Sequence, residues 1–261
     1  TSVFGSSVQL AGDLSGYLYD IKRDRYGKKR KWNYKRDVSA VLQKKFRASS
    51  LNKFHKIDQK KYLSHLFIPK QSAANAPRAF QVEKSMEPKG FFVHYTGKIL
   101  PENLGKFRFV GHGDDLLMVL IDGKVVLEAN WGLKLTDWHA KENINKHMSF
   151  TGQHLVYGDW IDFSSKKAKR IDLIYGESPG GLMSAVLLVE EQNALYQKAK
   201  SGRDILPVFA LHNLSTQEQE RLRNYKDWDF PAQYPDFGWR KNKKITDPNE
   251  NIAEGLVFID L

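Results

Sequence analysis

The chain has 261 residues, 41% apolar and 27% charged, with 41 Lys and Arg against 30 Asp and Glu for a net charge of +11. That profile is globular rather than disordered, and the length fits one large β domain or two small ones. With no cysteine there is no disulfide framework, thiol nucleophile or Cys-ligated metal, and no apolar run nears the ~18 residues of a membrane-spanning helix.

Residues 14–21 read as an opening strand. The segment 22–36 follows, with nine Lys and Arg relieved only by Asp24 and with Tyr26, Trp32 and Tyr34 interleaved. That mixture suits a single-stranded nucleic-acid groove, while a solvated loop is the commoner outcome for a charge run. No zinc-finger, homeodomain or RNA-recognition motif accompanies it, so nucleic acid ranks last among the partners. Asp37 reads as the cap of a short helix whose apolar face is Val38, Val41, Leu42 and Phe46. Residues 62–68 form a further strand.

Residues 91–95, 106–110, 116–121 and 124–127 predict four strands rich in β-branched and aromatic side chains. Asp122-Gly123 joins the last two as a type I′ hairpin. Strands over 170–175 and 182–190 flank a Gly-Glu-Ser-Pro-Gly-Gly loop. Ser215 and Glu218 form a capping box ahead of Leu222 and Tyr225, residues 227–251 read as irregular, and 255–261 as a strand docked back on the body. The expected fold is mainly β: an antiparallel β-sandwich, jelly-roll-like, with a short helical insertion and an irregular C-terminal extension. Residues 1–191 would form the sandwich domain and 192–261 an extension packed on the same domain.

The segment Gly176-Glu-Ser-Pro-Gly180 matches the nucleophile elbow G-x-S-x-G in letters only. Pro179 lacks the N–H that the oxyanion hole takes from the residue after the serine, and a strand, not a helix, follows. Gly111-His112-Gly113 lacks the third glycine and the helix of a dinucleotide loop. The histidines show no zinc spacing; His139 and His147 stand eight apart. No nucleophile–base constellation remains, so the expectation is a non-enzymatic protein.

Asp114-Asp115 stands out, bracketed by Gly113 and the most apolar strand of the chain. Successive strand side chains point to opposite faces, so both carboxylates meet only if the backbone bends or an unusual peptide joins them. Two clustered carboxylates then need a compensating cation, and calcium takes such oxygen ligands. The competing reading is that one Asp ends the strand and the other caps a turn.

Residues 105–109 (Gly-Lys-Phe-Arg-Phe), Gly113-Asp-Asp and 119–126 (Val-Leu-Ile-Asp-Gly-Lys-Val-Val) resemble the signature of the protective-antigen-type β-sandwich domain, found in anthrax protective antigen, yeast flocculins and epithelial adhesins. Gly16-Tyr-Leu-Tyr19 resembles the family's opening strand. Residues 171–175, the glycine-rich loop and 185–189 resemble its penultimate strand, loop and closing strand, so the likeness runs from about residue 14 to 191. The resemblance implies a carbohydrate-binding adhesion module, secreted or on the cell surface or in the periplasm. Asp114 and Asp115, joined by a cis peptide, would be ligands of a Ca2+ ion that holds vicinal sugar hydroxyls. The second ligand loop falls on residues 176–181, where Glu177 and Ser178 are the side-chain oxygen donors. The family's Asn is absent there, and Val189 stands where a Trp is frequent. Trp131, Trp138 and Trp160 are the aromatic candidates for stacking on a sugar. The alternative functions are a structural subunit that self-associates or meets neighbouring subunits, and polyanion binding through 22–36.

Overall fold

The computed structural model describes residues 2–9, 13–101, 103–140, 154–196, 204, 206–212 and 258–260. Its strands form two antiparallel sheets. The first contains β1 (Leu14–Asp20), β2 (His55–Lys56), β3 (Lys61–Leu63), β5 (Phe91–Pro101), β7 (Leu116–Ile121), β8 (Lys124–Glu128), β11 (Lys169–Glu177) and β13 (Phe258–Asp260). The second contains β4 (Phe67–Ser72), β6 (Lys106–Asp114), β9 (Val156–Tyr157), β10 (Ile161–Asp162) and β12 (Leu182–Glu191). The order across the first is β2-β1-β5-β11-β7-β8, with β3 on β1 and β13 on β5; across the second it is β10-β6-β12-β4, with β9 on β6.

Alternation sorts the side chains of each strand between two layers. Leu117, Val119 and Ile121 of β7 point into the core between the sheets with Ile171, Leu173 and Tyr175 of β11 and Ala185, Leu187 and Val189 of β12. Leu116, Met118 and Leu120 point the other way, into a second buried layer with Val38, Val41, Leu42, Phe46 and Phe54. That is why β7 is an unbroken apolar run: both of its faces are covered. The cover is α1 (Tyr34–Gln43) and α2 (Ala48–Leu51), the helical insertion expected from the sequence. A third layer coats the outside of the second sheet, where Leu206, Val208 and Ala210 pack with Phe67, Val110, Val186 and Leu188.

The helix cap differs from expectation. Asn33, not Asp37, caps α1, its Oδ1 accepting from Arg36 N–H at 2.9 Å. Asp37 lies within the first turn, where it accepts from Asn33 N–H (2.9 Å) and from both terminal nitrogens of Arg30 (3.1 and 3.2 Å). Burial pushes the Asp37 carboxyl up, but the bonds from Arg30, the Asn33 N–H and Arg36 outweigh it and hold the group below its usual range. The strand foreseen at 62–68 is two strands, β3 and β4, paired with β1 and β12 respectively. Asp122 and Gly123 have φ of 50° and 78°, as a type I′ turn requires.

The basic segment is an ordered loop. Asp24 Oδ1 accepts from the N–H of Tyr26 (2.9 Å) and Lys28 (3.0 Å), closing it into a turn. Its aromatics do not line up: Tyr34 is buried, donating its hydroxyl to Phe91 O at 3.0 Å, while Tyr26 is exposed under the Arg25 guanidinium. The expected capping box at Ser215 and the tail 227–251 lie outside the described residues. Among the described residues, no helix is long and apolar enough to cross a membrane.

Candidate functional site

Asp114 ends β6 in the second sheet and β7 begins at Leu116 in the first, so Asp114-Asp115 is the step by which the chain passes between sheets. The peptide joining them is cis. Close packing fixes the step. A Cβ on Gly113 would lie 2.5 Å from Leu117 Cβ, and one on Gly176 would lie 2.3 Å from the Tyr34 hydroxyl. The first contact would push β6 from β7; the second would push β11 from α1 and, with Phe91 O at 2.5 Å, from β5, so the packing at this end depends on both glycines.

Backbone hydrogen bonds tie the pair to its neighbours. Asp115 N–H donates to Gly176 O (3.2 Å), tying the step to β11, and Trp131 N–H donates to the carbonyls of Gly113 and Asp115 at 3.0 Å each. The loop carrying Trp131 is held in turn by Glu128, whose Oε1 accepts from Leu135 N–H at 2.6 Å and whose Oε2 accepts from the Thr136 hydroxyl. Asp115 Oδ2 accepts from Ser178 N–H at 2.8 Å, and Glu177 Oε1 from Gly180 N–H at 3.0 Å. Ser178 therefore reaches the site through its backbone.

Asp114, Asp115 and Glu177 line one cavity of about 310 Å³ with Trp131, Leu182 and Ser184. Asp114 and Glu177 are buried at 7% and 1% exposure, while Trp131 and Leu182 at the rim are 60% and 53% exposed. Glu177 Oε2 is buried and accepts no hydrogen bond. Burial, then the negative charges of Asp115 and Asp114, push the Glu177 carboxyl up to about 8, against a bond from Gly180 N–H that pulls it down. The same negative charges act on Tyr34 behind them: burial first, then Asp115 and Glu177, lift its hydroxyl well above the usual tyrosine value.

The geometry thus gathers Asp114, Asp115, Glu177 and Trp131 and disperses the other sequence candidates. Trp138 packs against the core between the sheets. Trp160 sits on the Arg108 guanidinium, 4.4 Å from ring centroid to carbon, near the start of β6. Six residues of strand, roughly 20 Å, separate that point from Asp114. Lys70 of β4 and Ser184 of β12 join the cavity without a signal of their own in the sequence. Strand register brings Ser184 there, opposite Asp114, and pairs Met183 with Gln71 next to Lys70.

As a donor set the cavity fits a hard cation: three carboxylates and a hydroxyl, one carboxylate oxygen unpartnered, and Lys70 the single cationic side chain in the lining. Among the described residues, no three His, Asp or Glu side chains already stand in the arrangement of a formed metal site.

No family model matches the chain, and no curated protein does. Among solved structures it is similar to a PA14 sugar-binding domain from an RTX adhesin (15% identity, 72% of this chain and 94% of that one, TM-score 0.44). It is also similar to the PA14 domain of the MpAFP antifreeze protein (13% identity, 72% and 87%, TM-score 0.41). A third is the epithelial adhesin 6 A domain of Candida glabrata in complex with Galβ1-3GlcNAc (14% identity, 71% and 83%, TM-score 0.38). Identities and scores this low establish neither the family nor the function of this chain.

Proposed function

We propose that this chain is a non-enzymatic carbohydrate-binding module of a secreted or surface-exposed adhesion system, and that it binds a glycan through a Ca2+ ion at Asp114, Asp115 and Glu177. The observation that carries the reading is the convergence of three carboxylates in a cavity whose rim is an exposed tryptophan. Mutual repulsion of the three acids opposes their joint ionisation, and a divalent cation relieves it with oxygen ligands of the type it prefers. Calcium supplies a charge that can coordinate two adjacent sugar hydroxyls.

The chain's own residues do the rest. Ser178 N–H holds the Asp115 carboxylate in place, and Gly180 N–H holds Glu177. Trp131 offers a flat apolar face beside the acids, suited to the C–H face of a pyranose. The adhesins cited above contain sugar-binding domains, which agrees with this reading.

A glycan array read with the whole protein in calcium and in EDTA tests it. The expected result is retention of particular glycans in calcium, loss in EDTA, and loss in Asp115→Asn under both conditions. Retention that ignores both EDTA and Asp115→Asn overturns it.

A further inference from the structure

Outside the carboxylate cavity, a cleft of about 620 Å³ lies between the loop after β1 and residues 83–89. Its walls carry Lys22, Arg23, Lys29, Arg30, Lys84 and Lys89 against the three acids Asp20, Glu83 and Glu87. Four of these cations are paired with acids, Lys22 (2.6 Å) and Arg23 (3.6 Å) with Asp20, Arg30 with Asp37 (3.1 Å) and Lys89 with Glu87 (3.0 Å), and carbonyl oxygens orient three of them further. Lys22 Nζ donates to Lys89 O (2.5 Å), Arg23 to Gly27 O (2.9 Å) and Ser85 O (3.3 Å), and Arg30 to Ile21 O (2.7 Å). That leaves Lys29 and Lys84 to supply the uncompensated charge of the cleft. Lys29 and Lys84 are exposed, and among the described residues their side chains have no hydrogen bond or ion pair. Trp32 forms an apolar part of the wall, its ring edge close against Gly90.

We propose that this cleft is a second binding site, for the sulfate or carboxylate groups of an acidic polysaccharide, with Lys29 and Lys84 as the unpaired cations that meet them and Trp32 as the wall for the sugar ring. The volume is that of a small-ligand site. A nucleic-acid strand would need successive aromatic platforms, and Trp32 is the single aromatic residue in the lining. The choice of a glycan among anions rests on the reading of the carboxylate cavity, because the two sites share a wall. Gly90 N–H donates to Ser178 O at 3.2 Å, and a Cβ on Gly180 would lie 3.3 Å from Pro88 O and 3.4 Å from Lys89 Cβ. One chain can therefore run from a neutral, hydroxyl-presenting residue on one side of that wall to an anionic one on the other.

The test is binding of a heparin octasaccharide to the full chain at several NaCl concentrations, with a dT oligonucleotide of matched charge as competitor. Lys29→Glu/Lys84→Glu is compared with Lys166→Glu/Lys167→Glu, which changes net charge equally at exposed positions elsewhere. The first pair should weaken octasaccharide binding by about tenfold or more and flatten its salt dependence, and the second should change it little. Equal weakening by the two pairs, or no weakening by the first, overturns the site. Equal affinity for the oligonucleotide at the same salt overturns its assignment to a glycan. Asp115→Asn separates the two sites: it should leave octasaccharide binding intact while abolishing calcium-dependent retention of a neutral glycan. Failure of the cleft thus reads differently from failure of the carboxylate cavity.

Discussion

Glu177 is the residue on which the chemistry of the site turns. Its carboxyl is raised from an ordinary 4.5 to about 8, so the folded protein holds a proton there that the unfolded chain releases at lower pH. Stabilisation from that proton is complete below about 4.5 and disappears as pH rises through about 8. In EDTA, the denaturation midpoint should therefore fall between those two values, and Glu177→Gln, which needs no proton, should flatten the profile. Saturating calcium should flatten it as well, because the ion replaces the proton as the compensating charge. A profile of equal slope in wild type and Glu177→Gln would show that the three carboxylates do not share one field. The sequence carried half of this. Adjacent Asp residues are visible in any reading, but the partnership with Glu177 depends on β7 pairing with β11, which local periodicity does not encode.

At the scale of elements, the C-terminus of α1 holds a backbone exception. Lys45 N–H donates to Leu42 O (2.7 Å) and Phe46 N–H to Val41 O (3.1 Å), the bonding of a Schellman motif. The position after the cap, normally glycine, is Lys45 with φ 53°. Lys45→Gly removes the steric cost of a left-handed side chain and should stabilise the protein by about 1 kcal/mol in chemical denaturation. Phe46 follows, buried against Phe92 and His94 at centroid distances of 6.0 and 5.2 Å. Phe46→Ala should cost ~3–5 kcal/mol, whereas a loss below ~1 kcal/mol would mean that the insertion does not seal the sheet. Most strands of the sandwich were legible because alternation and the Asp-Gly turn are local signals. The helix cap was misread because both Asn33 and Asp37 suit an N-cap, and Arg30, seven residues before Asp37, decides between them.

The whole molecule is a sandwich covered on both outer faces: the helical insertion lies on the first sheet and residues 206–211 on the second. The chain returns to the first sheet at β13, whose Phe258–Asp260 backbone pairs with Pro101, Leu100 and Ile99 beyond the stretch of β5 that β1 occupies. A chain ending at Gln192 would uncover Phe67, Val110, Val186 and Leu188, all buried here. It should melt lower and aggregate; a truncated protein that stays monomeric with an unchanged melting temperature would make 193–261 a separate appendage. The sequence predicts an extension packed on the body but not the face it meets, because the apolar stretches 205–211 and 255–261 carry no local signal of which sheet they cover.

Isothermal titration of calcium into the EDTA-treated, dialysed protein at pH 7, repeated in buffers of different ionisation enthalpy, bears most directly on the carboxylate site. A saturable single site should appear, absent in Asp115→Asn, with about one proton released per ion as the Glu177 carboxyl gives way to the metal. No saturable heat at millimolar calcium, or binding of equal strength in Asp115→Asn, would contradict a calcium-organised sugar site in this protein.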